Sequence, residues 1–228
     1  MYNNKNINMD YKLLDIEVYK RRPENCKFHN IYENFNYKDY PENFKCCGSF
    51  NEQFFNSIFE YLKPSIVIEL GTYLGFSCIY MANLCKKYHE NNYRIFAVDT
   101  WLGNWHYETM NWVHGYPTMY HSFVANLHYT GLEKNVYPVP LPTAVAVNNI
   151  RDSLNNLNLN ADLIYIDAGH DFFSVYADCH NYFPLLRTGG MLIGDDFQSE
   201  GVSTAVKEFC NVNNLTYEVS GINWIIQK

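Results

Sequence analysis

Residues 66–77, Ile-Val-Ile-Glu-Leu-Gly-Thr-Tyr-Leu-Gly-Phe-Ser, constrain the fold of this chain more than any other segment. Ile66, Val67 and Ile68 form a β-branched run between Pro64 and Gly71, the composition of a strand buried on both faces of a parallel sheet. Gly71 and Gly75 allow a sharp turn and a close approach of backbone to ligand, and Ser77 is placed to cap a helix running to His89. Such a helix start attracts a carboxylate or a phosphate. Glu69, at the strand end, repels phosphate and favours an amine or a sulfonium. The glycine spacing is also not the G-x-G-x-x-G of dinucleotide folds.

The order of elements extends this unit. Phe54, Phe55, Ile58, Phe59 and Leu62 recur at helical spacing, so an amphipathic helix over 50–62 leads into the first strand. Strands are expected at 94–99, 135–140, 161–166 and 190–194, separated by helices at 119–130, 143–154 and 172–186. Two more strands, 215–219 and 222–226, flank Ser220-Gly221 as an edge hairpin. This alternation predicts an α/β fold with a Rossmann-like, doubly wound, mostly parallel sheet and helices on both faces. Residues 1–50, rich in Asn, Tyr and Lys with weak periodicity, are expected to form an N-terminal arm, a lid part or oligomer contact. Residues 51–228 form the α/β domain, with 100–120 as an aromatic insertion over the site.

With 228 residues, 47% of them hydrophobic, the chain can bury the core of one such domain. A net charge of −7 argues against a nucleic-acid groove, which carries a basic stripe. Its seven cysteines include no C-x-x-C and no zinc spacing, so they read as reduced thiols of a cytoplasmic protein. The polar N-terminus lacks an apolar leader core, and no run approaches 18 apolar residues, so no membrane association is expected.

Ligands of open α/β sheets bind beyond the carboxyl ends of the strands, so Glu69, Asp99, Asp167, Asp195 and Asp196 are expected to meet at one crevice. Any one of them could cap a helix, but that account does not cover all of them. Asp99 suits a bidentate bond to two ribose hydroxyls. Asp167, Asp195 and Asp196 on neighbouring strands would repel one another unless a cation lay between them, and oxygen ligands favour Mg²⁺, with Mn²⁺ or Ca²⁺ as alternatives. His170 is either a general base beside them or a structural histidine held by backbone. Trp101, Trp105, His106, Tyr107, Trp112, His114, Tyr116 and Tyr120 offer flat aromatic faces for a sugar or another ring; the alternative is that they bury the insertion or form a contact in a homo-oligomer.

The segment from Glu69 to Ser77 resembles motif I of the class I S-adenosylmethionine-dependent methyltransferases. Asp167-Ala-Gly-His170, with Gly189-Gly190 and Asp195-Asp196, is similar to the metal-dependent O-methyltransferases of the macrocin O-methyltransferase and cephalosporin hydroxylase-like group, as is Val98–Gly103. The resemblance covers residues 64–197. It implies a seven-stranded sheet with an antiparallel last strand. It also implies S-adenosylmethionine held by Glu69, Gly71, Thr72, Tyr73, Gly75, Ser77, Asp99, Thr100, Trp101, Thr143 and Asp167, with the Trp101 indole, Thr143 and Ala144 on the adenine side. Mg²⁺ or Mn²⁺ would sit on Asp167, Asp195 and Asp196, and His170 would deprotonate a hydroxyl. Trp105, His106, Trp112 and His114 would line the acceptor pocket. The acidic pair departs from the relatives, where it is often Glu-Asp, and the shorter Asp195 shifts the metal site.

The expected function is metal-dependent O-methylation of a small molecule, a sugar of a surface glycan or glycosylated metabolite. Methylation of nitrogen or of a phosphate oxygen uses the same fold. An Fe(II) hydroxylase would want two histidines and a carboxylate, and only His170 has that setting. A nicotinamide-dependent sugar-nucleotide enzyme would want the absent glycine spacing. A cofactor-binding subunit without catalysis would tolerate loss of His170.

Overall fold

Strand β1 (Ile66–Leu70) is buried at every position and lies in the middle of a seven-stranded sheet. The computed structural model describes residues 35–40, 42, 50–103, 112–113 and 116–228. Ahead of β1, helix α1 (Glu52–Leu62) starts at Asn51, whose side chain accepts a bond from the Phe54 N–H, and ends where Lys63 turns left-handed. Phe54, Phe55, Ile58 and Phe59 form its buried stripe. After β1 come α2 (Phe76–His89), β2 (Arg94–Asp99) and the short antiparallel pair β3 (Trp112–Val113) and β4 (Tyr116–Pro117). Then follow α3 (Met119–Thr130), β5 (Val136–Pro140), α4 (Thr143–Asn156), β6 (Ala161–Ile166), α5 (Phe172–Tyr182) and β7 (Leu186–Gly194). The chain finishes with α6 (Glu200–Asn213), β8 (Glu218–Ser220) and β9 (Asn223–Gln227).

The strand order is β5-β2-β1-β6-β7-β9-β8. The first five are parallel, β9 runs antiparallel to β7, and β8 antiparallel to β9. The chain winds outward from β1 to β5 and returns to β6, so the direction of winding reverses between β1 and β6, where open α/β sheets form their crevice. Register then levels the strand ends. Leu70 pairs with both Val98 and Ile166, and Ile166 pairs with Gly194. The next residues, Gly71, Asp99, Asp167 and Asp195, therefore leave the sheet side by side.

Period-two alternation divides the core between the two faces. Ile66, Ile68 and Leu70 pack with Val147, Ile150, Val175, Val206 and Phe209 of α4, α5 and α6. Val67, Leu163, Tyr165 and Ile193 pack with Phe55, Phe59, Met81 and Phe123 of α1, α2 and α3.

Several boundaries differ from expectation. The helix expected over 172–186 stops at Tyr182, because Pro184 turns the chain through a 3-10 turn (Phe183–Leu185) into β7, which starts four residues before Gly190. The hairpin strands lie later than expected, at 218–220 and 223–227. The spacing rules above assign nothing to residues 198–214, yet α6 buries Val202, Ala205, Val206, Phe209 and Cys210 at helical spacing. Among the described residues, no helix is long and apolar enough to cross a membrane. The arm before residue 35, and Trp105, His106, Tyr107 and His114, lie outside the described residues, as do the side chains of Trp112 and Tyr116.

Candidate active site

The turn after β1 is built around close backbone contacts. Gly71 has φ +88°, and a Cβ there would overlap the Asp167 carbonyl, so the turn shares a wall with the end of β6. Gly75 has φ +91°, and a Cβ there would lie 2.7 Å from the Phe123 ring of α3. Both positions require glycine for conformation and for space. Gly75, not Ser77, is the N-cap of α2, and no side chain among the described residues caps that end. The Ser77 hydroxyl instead donates to Glu69 Oε1 at 2.5 Å, and the Thr72 hydroxyl donates to Oε2 at 2.9 Å. Glu69 is wholly buried and braces the turn from beneath through these two bonds. Burial pushes its pKa up to about 7, against the lowering effect of the Ser77 and Thr72 bonds. An uncapped helix N-terminus behind a glycine turn is a ready site for a carboxylate.

Asp99 stitches this turn to the end of β2. Its Oδ2 accepts from the Tyr73 N–H and its Oδ1 from the Trp101 N–H, both at 2.8 Å. Each oxygen keeps a lone pair for a further donor. Trp101 Nε1 donates to the Tyr73 carbonyl at 2.7 Å, and Asn126 of α3 donates to the Leu74 carbonyl at 2.8 Å. Tyr73 and Trp101 are both left-handed, at φ 50° and 51°, a conformation bulky residues hold only where their surroundings enforce it. The Trp101 indole is 1% exposed, stacked on Phe123 and edge-on to Tyr120. That corrects the expectation of an adenine contact: the ring is core beneath the turn. The Thr143 side chain is bonded to the buried Asp178 carboxylate of α5, which explains its position without a cofactor. Thr100 Oγ1 accepts from the Leu102 N–H.

The second half of the site lies at the ends of β6 and β7. One ligand atom from each of Asp167, His170 and Asp196 lies within 4.8 Å of the others, spacing that suits a cation. His170 Nε2 is 3.2 Å from Asp196 Oδ2 and 3.6 Å from Asp167 Oδ1. Hydrogen bonding to Asp167, with the charges of Asp196 and Asp195, raises the imidazole pKa above 6.5 against the opposing effect of burial. Asp167 Oδ2 also accepts from the buried Tyr165 hydroxyl at 3.3 Å.

Asp195 stands apart from this group. Its Oδ1 accepts from the Asp196 N–H at 2.9 Å and from Asn223 Nδ2 at 3.1 Å, and burial, with the charge of Asp167, pushes its pKa up to about 7. Of the expected set, Asp167 and Asp196 come together beside His170, and Asp195 lies outside that cluster. Asp196 turns left-handed at φ 54°, and Asp195 lines a small cavity together with Asp167 and His170. Two carboxylates suit Mg²⁺ or Mn²⁺, and they leave the imidazole beside them free to exchange a proton.

Sequence reasoning missed Tyr165, Gly201, Asn223 and Trp224. Tyr165 was detectable, since it lies two residues before Asp167 on the same strand face. The other three depend on tertiary contacts that no local pattern encodes.

Comparison with known proteins gives a consistent picture. A family profile described as a methyltransferase domain matches residues 68–197, more than half of the chain. An uncharacterized protein, y4gI, of Sinorhizobium fredii is 28% identical over 141 residues, 59% of this chain, but the chain spans only 13% of that relative's length. The fold is similar to the calicheamicin methyltransferase CalS11, with TM-score 0.57, 15% identity and 77% of each chain covered. It is also similar to an O-methyltransferase from Bacillus cereus in complex with SAH, with TM-score 0.58, 14% identity, and 95% of this chain and 91% of that one covered. A third likeness is the O-methyltransferase NovP, with TM-score 0.56, 15% identity and coverage of 95% and 98%. The matched span opens in β1 and closes at the acidic pair, enclosing both halves of the site. This chain belongs to the methyltransferase-domain family, with the class I S-adenosylmethionine-dependent methyltransferase fold.

Proposed function

We propose that the protein is an S-adenosylmethionine-dependent O-methyltransferase that uses a divalent cation and methylates a hydroxyl of a small molecule, a sugar above all. The observation that carries this reading is the shared wall between the Gly71 turn and Asp167, which puts an anion-binding helix end beside an Asp-His-Asp group. The cofactor would supply an electrophilic methyl group, and the cation would supply Lewis acidity toward a hydroxyl. The chain's own residues do the rest. The α2 N-terminus receives the carboxylate of the amino acid moiety, and Asp99 receives the ribose hydroxyls on its free lone pairs. Asp167 and Asp196 hold the cation. His170, 3.2 Å from Asp196 Oδ2 and 3.6 Å from Asp167 Oδ1, takes the proton from the acceptor oxygen. Fixing donor and acceptor in line is what the fold contributes, because a sugar hydroxyl is rarely ionised at neutral pH.

Two features support a sugar acceptor. A structural neighbour, CalS11, is described as a TDP-rhamnose 3'-O-methyltransferase. The sequence from 100 to 120 is also dense in Trp, Tyr and His. We assign residues 51–228 to the catalytic domain, 100–120 to its lid, and 1–50 to an arm that serves the lid or a second copy of the chain. Net charge argues for a small-molecule acceptor over nucleic acid. The test is release of S-adenosylhomocysteine from S-adenosylmethionine across a panel of glycosides and catechols, in EDTA and then in Mg²⁺ or Mn²⁺. Cation-stimulated turnover of a glycoside is expected. Equal turnover in EDTA would remove the cation from the account, and turnover restricted to non-sugar acceptors would remove the sugar.

A further inference from the structure

Asn223 lies outside the family match, yet its side chain bonds to the strand-end acid Asp195. It is 1% exposed on β9, the antiparallel strand next to β7. Its Nδ2 donates to Asp195 Oδ1 at 3.1 Å, the same oxygen that accepts the Asp196 N–H. Its neighbour Trp224 donates from Nε1 to the Asp195 carbonyl at 3.2 Å, and the Phe197 N–H donates to the Ile222 carbonyl at 2.8 Å. A Cβ at Gly194 would overlap the Trp224 indole, so the ring lies directly against the backbone that leads into the acids. Residues 222–224 therefore hold Asp195 by its side chain, its carbonyl and the chain on either side. The next residue, Asp196, is left-handed at φ 54°, with its Oδ2 3.2 Å from His170 Nε2.

The Asn223 amide Nδ2 also reaches the Gly194 carbonyl at 3.4 Å, while its Oδ1 is buried with no hydrogen-bond partner among the described residues. What the amide does is fix Asp195.

We infer that Asn223, with Trp224 behind it, is a positioning residue for the Asp196–His170 pair, supplied by the C-terminal hairpin. This inference rests on the roles proposed above for Asp196 and His170. Supporting partners of this kind set ligand orientation, and losing one typically weakens cation affinity about tenfold or more.

The test uses the full chain carrying Asn223→Leu, which keeps the shape and removes the donor, and Asn223→Thr, which restores a donor. Three quantities are read: melting temperature, Mn²⁺ affinity, and the rate at which diethyl pyrocarbonate modifies His170, resolved by peptide mass spectrometry. For Asn223→Leu the expected result is Mn²⁺ affinity lower by about tenfold and several-fold faster His170 modification, with at most a modest fall in melting temperature. Asn223→Thr should bring the His170 rate back toward wild type. A fall in melting temperature with the His170 rate unchanged, or no recovery in Asn223→Thr, would overturn the inference and leave Asn223 a packing residue. If the wild type binds no Mn²⁺, the cation reading fails by itself, and the His170 rate still decides about Asn223.

Discussion

Glu69 is an ionisable group placed where its charge is hardest to keep. Its pKa rises from the ordinary 4.5 to about 7 through burial. Between those values the folded chain binds more protons than the unfolded one, so this group's contribution to stability falls as pH rises from 4.5 to about 7. The swing is on the order of 3 kcal/mol. Glu69→Gln removes the titration, and the Ser77 and Thr72 hydroxyls can rotate to meet an amide. Urea unfolding at pH 5 and pH 8 should show wild-type stability falling relative to Glu69→Gln by that order; parallel pH profiles would contradict the burial argument. Asp196→Asn tests the other half of the site. Loss of one charged oxygen is expected to weaken Mn²⁺ binding by about tenfold or more while S-adenosylhomocysteine binding stays within error. Unchanged Mn²⁺ affinity would remove Asp196 from the cation site. The sequence shows both residues as strand-end acids but hides their difference. Ser77 reads as a helix cap and Glu69 as a ligand contact, and only the packed turn reveals that they bond to each other.

At the scale of elements, two helices on opposite faces brace the two halves of the site. α3 supports the cofactor turn through Phe123 under Gly75, Asn126 on the Leu74 carbonyl and the ring contacts of Trp101. Trp101→Phe keeps most of the packing and removes the indole donor to the Tyr73 carbonyl, so a loss of about 1 kcal/mol in unfolding free energy is expected together with weaker cofactor binding. A change in stability alone would separate Trp101 from the turn. α6 meets the other half from the opposite face. A Cβ at Gly201 would overlap the His170 carbonyl and lie 3.0 Å from Phe172 N. In an ordinary helix Gly→Ala stabilises by up to about 1 kcal/mol. Gly201→Ala should do the reverse, destabilising and slowing turnover through displacement of His170. A stabilised, fully active variant would contradict the close approach. β1, β6 and α3 are legible in the sequence because their periodicities are uninterrupted. The end of α5 is not, since its apolar pattern runs through Pro184 into β7 and only the proline marks the change.

For the whole molecule, topology accounts for most of what the sequence allows. Alternating strands and helices fix a doubly wound sheet, and level register brings the strand-end residues to one edge. Charge follows the same axis. Arg94 and Arg187 lie at the amino ends of β2 and β7, where Asp162 pairs with Arg187, while Asp99, Asp167, Asp195 and Asp196 lie at the carboxyl ends. The opposite edge of the sheet, β5, carries Pro138 and Pro140, which lack the N–H groups another strand would need. Which strand-end acid faces a ligand was not legible, because that depends on β9 and α6, elements distant in sequence from the acids they hold. The central claim, that this edge binds S-adenosylmethionine, is tested most directly by calorimetric titration with S-adenosylhomocysteine in EDTA and then in Mg²⁺, with NAD as control. Saturable binding of one S-adenosylhomocysteine per chain is expected in both buffers, and none of NAD. No heat with S-adenosylhomocysteine, or saturable binding of NAD, would contradict it.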